Sequence, residues 1–231
     1  MLDHDPLIVA LDVESAAEAR ALVERLAPEV QFFKVGMELY AAAGMEFVYE
    51  LVGEGHNVFL DMKFYDIGET VRRAVAQVAR MGVRFLTVHG SQEVMRAAVE
   101  GRGASLLQLL AITVLTSFDE TDLADLGYGC PVQDLVALRV RNAKAAGMDG
   151  VVASALEARA IRELAGPEMQ ILTPGVRSRG ADTGDQKRVA TPAAAIRGGA
   201  DYLVIGRQVT RAPDPLQAVR DIRAELADAV G

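Results

Sequence analysis

Eight apolar, strand-like runs recur along the chain, separated by stretches that have the periodicity of amphipathic helices. The runs begin at Leu7, Gln31, Asn57, Arg84, Leu106, Gly150, Gln170 and Asp201. Many of them carry few polar residues before their last positions, which is typical of parallel strands with both faces buried. Eight strand–helix units in 231 residues predict an α/β fold, a single (β/α)8 TIM barrel domain over residues 1–231.

The alternative fold is an open, doubly wound sheet. No G-x-G-x-x-G motif follows the first predicted strand, where a dinucleotide-binding fold would carry it. The longest interval between predicted strands, residues 114–149, is predicted to hold a loop around Thr116–Gly129 and then a helix over about Val132–Ala146. Ser15 and Glu18 have the spacing of a capping box and predict the start of the first helix.

The composition narrows the function classes. A formal net charge of −8 and a pI of about 5.0 argue against nucleic-acid partners and against binding to anionic membranes. The lone Cys130 permits no intrachain disulfide, which suits a reducing cytosol, and we expect a cytoplasmic protein. The N-terminus lacks the features of a signal peptide, and no apolar run approaches the roughly 20 residues that span a bilayer.

The stretch FLDMKFYDIGETV, residues 59–71, places three charged residues directly after an apolar run. Side chains two apart on a strand point the same way, so Asp61 and Lys63 are predicted to project together. Asp66 falls in the turn before a helix that begins near Gly68. Charges this close perturb each other's pKa values, as in active sites. The alternative is a solvated cluster of salt bridges at a strand end.

Polar residues also collect at the ends of the other predicted strands, which converge on one mouth of a barrel. They include Asp12, Lys34, His89, Thr113, Thr116, Ser154, Arg177 and Arg207. A charge within an apolar strand is unfavourable unless it is paired. Lys34 and Asp12 are therefore site candidates, and the alternatives are a surface lysine and a helix-capping carboxylate.

Two adjacent segments, TPGVRSRG from Thr173 and VIGRQVT from Val204, follow the last two predicted strands. Their glycines let backbone N–H groups approach an anion, and Arg207 can donate two parallel hydrogen bonds to phosphate oxygens. These loops form the usual phosphate site of this fold, so a phosphorylated substrate is predicted. The alternative is ordinary turn chemistry with solvated arginines.

With these motifs in place, nearly the whole chain resembles the orotidine 5′-phosphate decarboxylase family in its bacterial form. The stretch at 59–71 resembles the family pattern D-x-K-x-x-D-I-x-x-T-V. The segments KVG, AITVLTS, TPGVR, DQKRVATP and VIGR accompany it. The sequence departs from the pattern at Tyr65, where histidine is usual, and at Gly68 and Glu69, where Pro-Asn is usual.

The resemblance implies decarboxylation of orotidine 5′-monophosphate to UMP, without a metal or any other cofactor. It implies a homodimer in which Asp66 and Thr70 enter the partner's site, Thr70 reaching the ribose. Lys63 would be the proton donor, and residues 177–189 would form a lid over the phosphate. The implied charge network is Lys34, Asp61, Lys63 and Asp66; the implied substrate contacts are Asp12 (ribose), Thr116 (pyrimidine), and Arg177, Gln186, Gly206 and Arg207 (phosphate).

Two other functions remain open at this stage. Sister enzymes that decarboxylate or synthesise sugar phosphates also carry D-x-K-x-x-D but use Mg2+. They would have an acidic metal ligand on the second strand, where Lys34 stands here and would repel the ion. The third possibility is a regulatory barrel that binds phosphate without turnover, which leaves the charges within apolar strands unexplained.

Overall fold

The computed structural model describes residues 4–178 and 190–230, apart from the side chains of residues 228–230. Eight parallel strands close into a barrel, in which β8 pairs with β1 through Leu7 and Leu203. The predicted (β/α)8 barrel is confirmed, and the open sheet is wrong. The strands are β1 Leu7–Ala10, β2 Phe32–Gly36, β3 Asn57–Phe64, β4 Phe85–His89, β5 Gln108–Ile112, β6 Gly150–Val152, β7 Gln170–Pro174 and β8 Tyr202–Ile205.

Helices connect the strands and cover the outside of the barrel. They are α1 Ala16–Leu26, α2 Met37–Gly53, α3 Gly68–Val78, α4 Gln92–Arg102, α5 Glu120–Asp125, α6 Val132–Ala146, α7 Ala158–Ala165, α8 Pro192–Arg197, α9 Arg207–Thr210 and α10 Pro215–Val230. The helix expected over 132–146 is confirmed. The preceding stretch is not purely a loop, because it contains the short helix α5.

Side-chain capping explains where two of these helices begin. The hydroxyl of Ser15 accepts a hydrogen bond of 3.2 Å from the backbone N–H of Glu18, which satisfies an otherwise unpaired donor in the first turn of α1. At α5, Asp119 and Asp122 form a reciprocal capping box. The C-terminal end of α6 is at Gly147, whose φ of 79° is the left-handed conformation that glycine adopts without steric cost.

The core has two layers. The outer layer lies between strands and helices, and the inner layer fills the barrel. Near the N-terminal ends of the strands, the rings of Phe32, Phe85 and Tyr202 contact one another, and the Arg84 guanidinium lies 5.3–5.7 Å from all three ring centres. This aromatic cluster closes the barrel at one end, so a ligand enters from the other.

No helix in the described part of the chain combines the length and the apolar character needed to cross a membrane.

Candidate active site

A cavity of about 740 Å³ opens at the C-terminal ends of the strands. Apolar side chains of the inner core form its floor, among them Phe59, Ile112 and Leu172. The predicted site residues that line it are Asp12, Lys34, Asp61, Lys63, Thr116, Arg177, Gly206 and Arg207. The barrel therefore brings together residues that are far apart in the sequence, at the mouth where this fold carries its chemistry.

Lys34 projects from β2 into this cavity, and its side chain is only 10% exposed. Its ammonium donates a hydrogen bond of 2.9 Å to Oδ1 of Asp12 and lies 3.7 Å from Oδ2 of Asp61. Two carboxylates thus compensate the burial of this charge, as a buried ammonium requires. A snorkelling surface lysine is excluded at this position.

Asp61 is the centre of the charged cluster. Its Oδ1 accepts hydrogen bonds of 2.9 Å from the Lys63 ammonium and from the Thr87 hydroxyl. Burial favours the neutral acid, but the charges of Lys34 and Lys63 and the two hydrogen bonds outweigh it, so the pKa of Asp61 lies below its usual value. With its side chain 16% exposed, Asp61 does not belong to a solvated surface cluster.

The backbone of β3 departs from a regular strand at this point. Leu60 pairs with Leu86 and Phe64 pairs with Val88, so residues 61–63 lie opposite a single residue of β4. Lys63 adopts a φ of 50°, the one positive value among the non-glycine residues in the described ranges. Asp61 and Lys63 do meet as predicted, but through a bulge and not through the regular alternation from which their contact was inferred.

Asp66 and Thr70 lie outside the cavity. Both are exposed, and Oδ1 of Asp66 accepts a hydrogen bond of 2.7 Å from the backbone N–H of Ile67 at the start of α3. Neither residue is among those that line the cavity. Within one subunit, the cluster therefore consists of Asp12, Lys34, Asp61 and Lys63.

A further part of the cavity lining is formed by residues that follow β7 and β8. Arg177 is 8% exposed, its backbone N–H donates to the Ala190 carbonyl at 3.0 Å, and Arg207 begins α9. At Gly206 a Cβ would approach Oδ2 of Asp12 to 3.3 Å, so the absence of a side chain keeps this corner open. Gln186 and most of the predicted lid, residues 179–189, lie outside the described residues.

Two residues that sequence reasoning did not single out support the charged cluster. Thr87 is fully buried, and its hydroxyl contacts both Asp61 and the Lys63 backbone. At Gly36 a Cβ would lie 2.9 Å from Nζ of Lys34, so glycine leaves room for that ammonium. A signal for Thr87 existed, because a polar residue inside an apolar strand requires a partner.

Comparisons with known proteins show which family the chain belongs to. Residues 5–222 match the model of the orotidine 5′-phosphate decarboxylase / HUMPS family. An orotidine 5′-phosphate decarboxylase of Rhodopseudomonas palustris is 52% identical over 229 residues, covering 99% of this chain and 97% of the relative. The enzyme of the same name from Methylobacterium nodulans is 50% identical over 229 residues, with coverage of 98% and 97%.

Two solved structures are also similar to this chain over nearly its whole length. The crystal structure of an orotidine 5′-phosphate decarboxylase from Lactobacillus acidophilus is similar with a TM-score of 0.85 and 32% identity, over 96% of this chain and 99% of that one. An uncharacterized conserved protein from Geobacillus kaustophilus is similar with a TM-score of 0.83 and 37% identity, over 96% and 100% of the two chains. The chain therefore belongs to the orotidine 5′-phosphate decarboxylase / HUMPS family.

Proposed function

We propose that this protein is an orotidine 5′-phosphate decarboxylase, a lyase that converts orotidine 5′-monophosphate to UMP and CO2 in de novo pyrimidine biosynthesis. The observation that carries the proposal is the alternation of charge along the cavity lining. The ammonium of Lys34, the carboxylate of Asp61 and the ammonium of Lys63 follow one another at 3.7 Å and 2.9 Å. The relatives that match nearly the whole chain carry the same enzyme name.

The decarboxylation reaction explains why alternating charges would be useful at this place. When the bond to the carboxylate breaks, CO2 leaves and the electron pair remains on a ring carbon that has no conventional electron sink. Fixed charges in a cavity shielded from water stabilise such an anion better than water does. The ammonium of Lys63 stabilises this carbanion and then transfers a proton to it, while Asp61 holds the ammonium in place.

Different parts of the cavity bind different groups of the substrate. On the wall formed after β7 and β8, Arg177, Arg207 and the Gly206 backbone bind the phosphate, with Gln186 joining them. Binding energy at the phosphate, remote from the bond that breaks, contributes to transition-state stabilisation. The Asp12 carboxylate accepts a hydrogen bond from a ribose hydroxyl, and the buried Thr116 contacts the pyrimidine.

We further propose a homodimer that shares its sites, with Asp66 and Thr70 reaching the partner's substrate. The support is the exposure of this turn: Tyr65 is 69% and Ile67 72% exposed. Large apolar side chains exposed beside a charged residue are typical of a surface that a partner covers. The second subunit would complete the charge network by adding Asp66 to the other three members.

The Mg2+-dependent sugar-phosphate reaction fits the site less well. Nζ of Lys34 occupies the space between Asp12 and Asp61, at 2.9 Å and 3.7 Å from their oxygens. A Mg2+ ion bound by these carboxylates would lie next to that ammonium and be repelled by it. The decarboxylation of orotidylate requires no such ion.

The test is the ultraviolet absorbance of orotidine 5′-monophosphate mixed with the purified protein, with and without EDTA. We expect rapid loss of the orotate band, the same rate in EDTA, and UMP as product. A folded protein that neither changes the orotate band nor binds UMP would favour the Mg2+-dependent sugar-phosphate branch of the family. A folded protein that binds UMP but leaves the orotate band unchanged would point to a regulatory barrel.

A further inference from the structure

The hydroxyl of Thr87 makes two contacts with the charged cluster. Thr87 lies in the middle of β4, is 0% exposed and is surrounded by the apolar residues of its strand. A buried hydroxyl is unfavourable in such a position unless its donor and acceptor capacity is used. Here both are used, because the hydroxyl donates to Oδ1 of Asp61 and accepts from the Lys63 backbone N–H, each at 2.9 Å.

These contacts lie at the irregular point of β3. Residues 61–63 lie opposite Thr87 between the ladder pairs Leu60–Leu86 and Phe64–Val88. The threonine side chain therefore provides the β3–β4 link at a place where the regular register is broken. Lys63 is held with a φ of 50°, a conformation that a residue with a Cβ adopts only when its surroundings fix it.

The same hydroxyl also orients the carboxylate. Oδ1 of Asp61 accepts from Thr87 and from the Lys63 ammonium, and Oδ2 faces Lys34. Two donors converging on one oxygen restrict rotation of the carboxylate, and the carboxylate in turn fixes the direction of the Lys63 side chain. A single hydroxyl thus holds the proposed proton donor at its backbone and, through Asp61, at its ammonium.

We propose that Thr87 is a positioning residue that places the Lys63 ammonium against the reacting carbon. This inference rests on the proposed decarboxylation. Thr87 does not line the cavity and touches no part of the substrate's space, so it acts through Asp61 and Lys63. A misplacement of a reacting group by about 1 Å costs on the order of a hundredfold in rate.

The first test compares three variants by steady-state kinetics. Thr87→Val keeps the volume and removes the hydroxyl, and we expect kcat to fall about ten- to a hundredfold. KM should change less than about threefold, because the phosphate is bound by residues that follow β7 and β8. Thr87→Ser keeps the hydroxyl and should restore most of kcat. Thr113→Val is the matched control: its buried hydroxyl donates to the Val152 carbonyl, which the Thr113 backbone N–H also contacts.

Three kinetic outcomes would overturn the proposal. They are a Thr87→Val variant with wild-type kcat, a Thr87→Ser variant as slow as the valine variant, and a Thr113→Val control that loses as much kcat. A role limited to stability would lower the melting temperature of Thr87→Val without this pattern in kcat and KM.

The second test does not depend on turnover. Hydrogen exchange of the Lys63 amide, followed by NMR, should be slow in the wild type and in Thr87→Ser, and faster in Thr87→Val. A rapidly exchanging Lys63 amide in the wild-type protein would overturn the proposal even if the valine variant fails to fold. If the wild type protects this amide but does not act on orotidine 5′-monophosphate, the proposed decarboxylase function is wrong. The positioning role of Thr87, which depends on that function, is then wrong as well.

Discussion

Gly36 and Lys34 are linked by a steric relationship: a Cβ added at Gly36 would lie 2.9 Å from the Lys34 ammonium. Gly36 has a φ of −95°, which alanine adopts freely, so Gly36→Ala introduces no backbone strain. The flexible end of the Lys34 side chain must shift instead, which disturbs its hydrogen bond to Asp12. We expect kcat/KM to fall by at least about tenfold with the melting temperature nearly unchanged.

The matched control for that substitution is Gly53→Ala, at the last residue of α2, the helix that follows Gly36. A Cβ there would meet nothing within 4 Å. Both variants are measured by steady-state kinetics and thermal melting. Equal activities in the two variants would show that the space beside Lys34 is not needed.

The barrel was predictable because the same pattern, an apolar strand-like run, occurs eight times in the sequence. The eight strand-like runs differ in sequence, yet each must bury both faces, so many of them carry few polar residues before their C-terminal ends. Lys34 was predictable for the same reason, since a charge within an apolar strand demands compensation. Helix α5 was not predicted, because its six residues include too few apolar side chains to show a period; it is specified by the Asp119–Asp122 capping box.

A second prediction concerns Lys63 itself. Lys63→Ala should lower turnover by about a thousandfold or more, because it removes both the proposed proton donor and the positive charge. The variant should still fold, because the side chain is 32% exposed and Asp61 keeps Lys34 as a partner. Turnover is measured from the loss of the orotate band, and folding from circular dichroism.

Lys144→Ala is the control for the loss of a lysine. Its ammonium donates to the Ala165 carbonyl on the outside of the barrel, away from the cavity. This variant should keep wild-type turnover. A wild-type rate in Lys63→Ala would remove Lys63 as the proton donor.

The sequence predicted which residues form the charged cluster better than it predicted the backbone geometry that brings them together. The sequence indicated that Asp61 and Lys63 meet, but a regular strand was the wrong reason. The register of β3 against β4 decides the true geometry. At this point the two strands are linked by Thr87, which lies 24 positions after Lys63 and 26 after Asp61 in the sequence. A pattern read within one segment contains no information on such a pairing.

A third prediction tests the shared site. Asp66→Asn and Lys63→Ala subunits should each be poor catalysts alone, because each homodimer has the same defect in both sites. After unfolding and refolding together, half of the dimers are hybrids with one intact site of two. Activity should therefore recover to about one quarter of the wild-type value.

The control for this mixing experiment is each variant refolded alone. Neither should regain activity, because no hybrid forms. A mixture that stays as inactive as its components, with hybrid dimers demonstrated by mass spectrometry, would contradict a site completed by Asp66 of the partner.

The last prediction follows from His89 at the end of β4. Burial favours its neutral form, and the nearby charge of Arg139 adds to this effect, so the pKa of His89 lies below its ordinary value of 6.5. Its Nδ1 also accepts a hydrogen bond of 3.2 Å from the Ser91 backbone N–H, which protonation at that atom would break. As pH falls below 6.5, the unfolded chain binds a proton at this position before the folded chain does. His89 should therefore lower the free energy of unfolding between pH 6.5 and its folded pKa.

His89→Asn separates this contribution from other titrations. The asparagine oxygen can accept the same Ser91 N–H, but the side chain does not titrate. Urea unfolding at a series of pH values should show that the wild type loses stability more steeply than the variant just below pH 6.5. At still lower pH, beneath the folded pKa of His89, both forms of the chain are protonated and the two slopes should converge. Parallel curves throughout would mean that His89 titrates at the same pH in the folded and unfolded protein, and that its burial and the nearby charge of Arg139 do not favour the neutral ring.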